Sequence, residues 1–277
     1  MPIANYTDWL TALKSKTAWL APFSTTPNTS SSNFFYKWHS QYANIFPTLT
    51  TPTTPVACDS STSGAVGQNN TASGNNYLVG CESKFVRATT LLIYDRLCHQ
   101  GGLSGNVTGA QTTNLPTAAL TRYTSGEGVM MAVEVYTSLG VTASTLSVSY
   151  TNSSGTSGRT SPEIGVTNTS PLNYIQSGSF FMLPLQSGDT GVRSVESVTL
   201  SVATGTVGNF GITLLKPLAM IRANGADPDR GNFVDGNLLG GIPSIANNAC
   251  LWRSVYYDNI TTTPAGLSAF SVTLTES

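Results

Sequence analysis

From Tyr77 onward, apolar and polar positions alternate with a period of two. Leu91, Ile93 and Asp95 alternate with Leu92, Tyr94 and Arg96, and Val129, Met131, Val133 and Val135 share a face opposite Met130, Ala132, Glu134 and Tyr136. Leu146, Val148 and Tyr150 face away from Ser147 and Ser149; Val198, Leu200 and Val202 alternate with Ser197, Thr199 and Ser201. Phe210, Ile212 and Leu214 continue the series, and Phe270, Val272 and Leu274 close the chain. Period two with one apolar face is the pattern of antiparallel sheets that have a core side and a wet side. The punctuation is of turn type: Gly126-Glu127-Gly128, Asn152-Ser153-Ser154-Gly155, Ser187-Gly188-Asp189 and Gly205-Thr206. No helix-length pattern separates the strands, which excludes a parallel α/β sheet. The pattern predicts an all-β fold over 77–277: an antiparallel β-sandwich of about eight strands, jelly-roll-like, with a loop excursion at about 222–248.

The first 76 residues read differently. Asn5 to about Lys16 predicts a short helix: Asn5 caps it, Asp8 suits the dipole, and Tyr6, Trp9, Leu10 and Leu13 form one apolar stripe. Eleven or so residues make only a marginal helix in water, so the stripe must dock on something. Residues 22–76 predict a long irregular arm, broken by Pro22, Pro27, Pro47, Pro52 and Pro55. The arm also holds Phe34, Phe35, Tyr36, Trp38, Tyr42, Ile45 and Phe46, which a solvated linker would leave unburied. It is expected to clamp a partner surface, with Trp9, Phe34, Phe35, Tyr36, Trp38 and Phe46 as the interface residues. Its deletion is expected to leave a folded sandwich.

Composition narrows the field. The 277 residues carry 13 Lys+Arg against 14 Asp+Glu, a net charge of −1, and only 10% are charged. Without a basic excess there is nothing to neutralise phosphates, so nucleic acid is not an expected partner. At 40% hydrophobic the chain is not disordered. A surface this poor in charge suits a subunit packed against others. No apolar window reaches membrane-span length; Ile212 to Ile221 is interrupted by Lys216 and Pro217. The start has neither a basic n-region nor an apolar h-region, so synthesis in a cytoplasm without a secretory signal is expected. Cys58, Cys81, Cys98 and Cys250 form no CxxC pair and read as reduced, partly buried thiols.

Few constellations suggest chemistry. Asp95, His99 and Ser104 present the residue types of a nucleophilic triad, but Ser104 lacks the Gly-x-Ser-x-Gly elbow. Asp95-Arg96-Leu97 reads better as a local ion pair at a strand end, with Gly101 to Gly105 as the turn after it. Residues 227–237, with Asp227, Asp229, Asp235 and two asparagines, offer oxygen ligands of the kind calcium prefers. They do not match an EF-hand loop and read as a surface loop bonded to its own turns. Glu127, Glu134, Glu163 and Glu196 fall on different elements and make no glycosidase pair. Trp252, Tyr256 and Tyr257 are candidates for stacking on a sugar, or for packing. No catalytic residue, cofactor or metal site is expected, and the chain is not read as an enzyme.

The stretch Leu91-Leu92-Ile93-Tyr94-Asp95-Arg96-Leu97-Cys98-His99-Gln100-Gly101-Gly102-Leu103-Ser104-Gly105 resembles one that recurs in tailed-bacteriophage virion structural proteins. Gln111, Leu115-Pro116-Thr117, the run Leu185 to Val195, Trp38-His39-Ser40 and Ala249-Cys250-Leu251 extend the likeness. The resemblance implies a head decoration (cement) protein of jelly-roll type, without catalytic residues. Its expected partner is the major capsid protein, bound on the capsid exterior, with self-association as a dimer or trimer. The alternative is a tail-associated or receptor-binding β-sandwich that holds glycans.

Overall fold

The computed structural model describes residues 19–25, 36–38, 52–62, 65, 76–84, 88–116, 118–166, 177, 179–224, 232–235, 243–257 and 268–276. The helix expected over Asn5 to about Lys16 lies outside them. Every described element is a strand: β1 (Trp19–Thr25), β2 (Tyr36–Trp38), β3 (Val56–Ala57), β4 (Asn76–Lys84), β5 (Ala88–Leu103), β6 (Gln111–Leu115), β7 (Met130–Thr137), β8 (Ser144–Asn152) and β9 (Arg159–Thr160). After these come β10 (Ile164–Val166), β11 (Phe180–Leu183), β12 (Val192–Leu200), β13 (Asn209–Asn224), β14 (Asn232–Asp235), β15 (Ser244–Ile245), β16 (Leu251–Tyr257) and β17 (Ser268–Glu276).

The pairing of the central strands is that of a long antiparallel ribbon folded on itself. β5 pairs β13, β6 pairs β12, β7 pairs β11 and β8 pairs β10, all antiparallel. Rolling this ribbon brings β13 beside β7 and β12 beside β8, giving two sheets in the orders β11-β7-β13-β5 and β10-β8-β12-β6. Eight strands wound this way are a jelly roll. The expected sandwich and its topology are both present.

The main core lies between these two sheets. Met131, Val133 and Val135 of β7 and Phe210, Ile212 and Leu214 of β13 meet Leu146, Val148 and Tyr150 of β8 and Val192, Val195, Val198 and Leu200 of β12. In β8 the alternation is clean: Leu146, Val148 and Tyr150 are buried, while Ser147 and Ser149 are half-buried. β12 departs from period two, because Val195 and Val198 both point inward. The register shifts between Val195 and Ser197 against both neighbours, and such a bulge restores the facing of the apolar side chains. The alternation also overruns: β12 ends at Leu200, and Val202 is exposed in the following loop.

The other face of the β5–β13–β7 sheet is not wet, contrary to the expectation for Ala132 and Glu134. Both are buried there, beside Tyr94, Phe180, Leu215, Cys58, Cys250 and Trp252. β16 extends this sheet beyond β5, and β2 pairs β16. β13 runs through Pro217. β7 pairs β13 only as far as Leu215, so Pro217 stands beyond that neighbour and beside a register shift, where a strand tolerates a missing N–H.

A third sheet, β1-β17-β4-β14 with β15 also on β4, continues the ribbon: β4 precedes β5, β14 follows β13, and the two pair with each other. The 222–248 excursion therefore contains the end of β13 and two strands, and Asn232–Asp235 of the proposed acidic loop is strand β14. The 22–76 arm likewise supplies strands. β1 pairs β17, β2 pairs β16 and β3 pairs β5.

Candidate functional site

The resemblance-bearing stretch is β5 and the turn after it, so its residues are spaced along one strand. Alternation sends Asp95 to one face and Tyr94 and Arg96 to the other. The expected local Asp95–Arg96 ion pair is therefore not formed, and Asp95 sits in mid-strand, not at a strand end. Each residue has a distant partner instead.

Asp95 is bound by Arg122, from the loop between β6 and β7: Nε donates to Oδ2 at 2.9 Å and Nη2 to Oδ1 at 2.8 Å. The Cys250 N–H donates to Oδ1 at 2.8 Å. Arg122 Nη2 also donates to the carbonyls of Cys58, at 2.9 Å, and Arg96, at 3.2 Å. Burial pushes the Asp95 carboxyl upward against the pull of Arg122. Three chain segments thus meet at one carboxylate, and Arg122 ties in a fourth through the Cys58 carbonyl.

Across the strand, Arg96 Nη2 donates to Glu134 Oε2 at 2.7 Å, with both side chains 1% exposed. It also reaches Thr213 Oγ1 at 3.3 Å. The guanidinium lies 4.2 Å from the centre of the Trp252 ring, a cation–π contact strengthened by exclusion of water. Tyr136 Oη donates to the same Glu134 oxygen at 2.6 Å, and His99 Nδ1 lies 3.2 Å from Tyr136 Oη. Burial opposes the charge on Arg96, and Glu134, helped by Cys58, Tyr136 and Tyr94, more than offsets it and keeps the guanidinium charged. Burial, then Glu134, raises Tyr136 well above its ordinary value, so the phenol stays protonated and is no nucleophile. The arrangement locks β5, β7, β13 and β16 together; it does not activate an attacking group.

The triad reading fails on geometry. Asp95 is committed to Arg122 and Cys250, His99 faces Tyr136 on the opposite side of β5, and Ser104 Oγ accepts from the Asn106 N–H at 3.1 Å. Gln100 Nε2 donates to the Thr53 carbonyl at 3.1 Å, and Gly102 adopts φ +80° against Thr53, a turn that favours glycine. Ser104 and Gln111 close the turn reciprocally: Ser104 N–H donates to Gln111 Oε1 at 2.8 Å, and Gln111 Nε2 to the Ser104 carbonyl at 2.9 Å.

Cys58, Cys98 and Cys250 are free thiols and buried. The Cys250 thiol hydrogen-bonds the Cys58 sulfur, which lowers Cys58; the same bond and burial raise Cys250. Trp252 is 1% exposed beneath Arg96, so it is not a sugar-stacking platform. The side chains of Tyr256 and Tyr257 lie outside the described residues, as do Trp9, Phe34, Phe35 and Phe46. Tyr36 and Trp38 are placed by backbone in β2, their side chains likewise outside. The side chains of all six expected interface residues therefore lie outside the described residues. Among the described residues, no three His, Cys, Asp or Glu side chains are grouped to hold a metal ion.

Sequence reasoning missed Arg122, Glu134, Tyr136 and Cys58. Glu134 carried a signal: a charged residue between Val133 and Val135, on a strand whose opposite face was already full. Arg122 carried none, because it lies in a loop and its role depends on what folds over it.

No protein-family model matches the chain, and no curated protein is similar to it in sequence. Two solved structures of infectious bursal disease virus align with it, the Gx strain and the VP2 subviral particle, each with a TM-score of 0.20. The first is 8% identical over 94% of this chain and 81% of that chain; the second is 9% identical over 94% and 80%. Likeness at that level carries no argument about fold or role.

Proposed function

We propose that this chain is a non-enzymatic structural protein of a virion, a phage head decoration protein that binds the outside of the major capsid protein shell and reinforces it. The observation that carries the reading is the eight-strand jelly roll with the phage-like stretch as its first and central strand. Jelly rolls build viral capsid and lectin domains and cupins. A cupin site gathers histidines, and this chain has two, of which His99 bonds Tyr136 outside the sandwich core. A lectin-like reading loses its leading aromatic, since Trp252 is buried. In the phage-like stretch Asp95, Arg96, Gln100 and Gly102 hold the fold together, as expected of a building part.

Reinforcement needs added interface across the shell, typically on the order of 1,200–2,000 Å² per specific contact. The N-terminal aromatics Trp9, Phe34, Phe35, Tyr36, Trp38 and Phe46 are of the type that anchors such contacts. Co-sedimentation of the purified chain with shells of the major capsid protein tests the reading. Saturable binding to shells and a raised shell melting temperature are expected; no binding, or presence in virion tails and not heads, overturns it.

A further inference from the structure

Among the described residues, three loops close the same end of the jelly roll. β5 ends at Leu103 opposite Phe210, near the start of β13, and β7 ends at Thr137 opposite Asn209. The 104–110, 138–143 and 201–208 loops leave from that end and are knit together around Thr204, which is fully buried. The Thr204 N–H donates to the Gly105 carbonyl at 2.8 Å, its carbonyl accepts from the Thr142 N–H at 3.0 Å, and its Oγ1 accepts from the Gly140 N–H at 3.0 Å. The Gly105 N–H donates to the Val207 carbonyl at 2.6 Å, and the Gly205 N–H to Asn106 Oδ1 at 3.1 Å. The tips are thus a rigid platform.

That platform presents valine. Val107, Val141, Val202 and Val207 are 44%, 70%, 47% and 61% exposed, and among the described residues only Val56 and Met220 are other large apolar side chains so exposed. The three loops contain no Asp, Glu, Lys, Arg or His. We propose that this loop end is the surface through which copies of the chain associate, meeting end to end about a symmetry axis.

The absence of charge selects that occupant. A surface packed about a symmetry axis brings residues near the axis close to their own copies, so a charge there would face its own sign. A charge-free platform meets itself without that cost. The three described loops have no cation for a phosphate backbone, and none of the aromatic or basic residues with which loops enter a lipid interface. Valine has one stiff χ1 torsion and its platform is already ordered, so little conformational entropy is lost on association. Exposed apolar side chains gathered at one end of a domain, not scattered singly, mark interaction sites.

This inference rests on the self-association part of the proposed function and not on shell binding. The test is sedimentation velocity of the full chain, unchanged and as Val141→Asp/Val207→Asp, with Met220→Asp as control. Expected are an oligomer for the unchanged chain and the control, and a monomer of unchanged melting temperature for the double variant. That corresponds to association weakened on the order of 100-fold or more. A double variant that stays oligomeric overturns the loop-end surface while leaving self-association standing, as does a control that dissociates equally. A monomeric unchanged chain overturns both. Co-sedimentation with shells is a separate readout, so loss of shell binding alone does not bear on this surface.

Discussion

Arg122 grips Asp95 with two nitrogens, and the same guanidinium spans to the carbonyl of Cys58, sixty-four residues away in sequence. Asp95 is fully buried and the Arg122 side chain 8% exposed, so neither charge has water to fall back on. Removing one partner of a buried pair strands the other and costs about 3–5 kcal/mol. Asp95→Asn and Arg122→Met should each lower unfolding free energy by that order in denaturant titrations. The double variant should cost clearly less than the two singles summed, because no orphaned charge remains. Strict additivity would show that the pair is not coupled.

Glu134 anchors both Arg96 and Tyr136 through a single oxygen. Glu134→Leu leaves the Arg96 guanidinium buried between Trp252 and Thr213 without its counter-charge, and should destabilise by about 3–5 kcal/mol. Glu134→Gln keeps an acceptor for both donors and should cost less. If both variants melt with the unchanged chain, the carboxylate is doing no more than filling space.

The 52–62 segment belongs to the body of the molecule. β3 pairs β5, the Cys58 N–H donates to the Leu97 carbonyl at 2.8 Å, and the Cys58 side chain, 1% exposed, packs with Tyr94, Phe180 and Trp252. This bears on the expectation that the first 76 residues are dispensable for folding. Truncation after residue 51 keeps these contacts; truncation after residue 62 removes them and leaves Arg122 without the Cys58 carbonyl. The second truncation should melt several degrees below the first, since ~1 kcal/mol shifts a domain of this size by roughly 2–4 °C. Equal melting temperatures would show the 52–62 segment to be peripheral.

How much of this was legible in the sequence follows from what each signal depends on. Strands β7, β8 and β13 announce themselves because their inward apolar residues repeat every second position, in β8 and the first half of β13 against serine, glycine or threonine. β6, Gln111–Leu115, does not: its polar run is held by Thr113 Oγ1 donating to the Val195 carbonyl at 2.8 Å, a cross-strand bond with no local signature. β3 and β15 are two residues each, too short for any period to appear. The polar lock on the outer face of β5 was visible only as separate letters. Arg96, Glu134, Tyr136 and Trp252 lie on three strands, and only the order β7-β13-β5-β16 makes them neighbours. The Val202 misreading has the same root, since alternation cannot say where a strand stops being paired.

Gly211 and Gly140 fix backbone approaches that a methyl group would block. A Cβ on Gly211 would strike the Gln100 carbonyl across the β5–β13 pair, and one on Gly140 would strike the Thr204 carbonyl. Backbone yields less readily than a side-chain tip, so Gly211→Ala should destabilise the whole sandwich, and Gly140→Ala chiefly the loop end. Amide hydrogen exchange separates the two. Gly140→Ala should raise exchange at Gly105, Thr142 and Thr204 while leaving β8 protected. Uniform loss of protection in that variant would contradict a local role.

Acid should act on this fold through Asp189. Its Oδ2 accepts from Tyr150 Oη at 2.6 Å and from Arg159 Nε at 3.0 Å, and its Oδ1 from Asn152 Nδ2 at 2.7 Å. The Arg159 hydrogen bond, then that of Tyr150, lowers the carboxyl from its ordinary 3.8 to about 2. A carboxyl depressed in the folded state contributes stability that is present above its unfolded value and is lost as pH falls through its folded one. The window therefore runs from 3.8 down to about 2. Asp189→Asn removes the titrating group while keeping an acceptor in place. In urea titrations stepped from about pH 6 down to about pH 2, the unchanged chain should lose stability across that window from this site. The variant should start lower at the upper end and approach the unchanged chain as pH falls, with the gap closing mainly below 3.8. A gap that holds constant down to the acid limit would show that Asp189 titrates alike in the folded and unfolded chain. The hydrogen bonds from Arg159, Tyr150 and Asn152 would then not be holding the carboxylate charged.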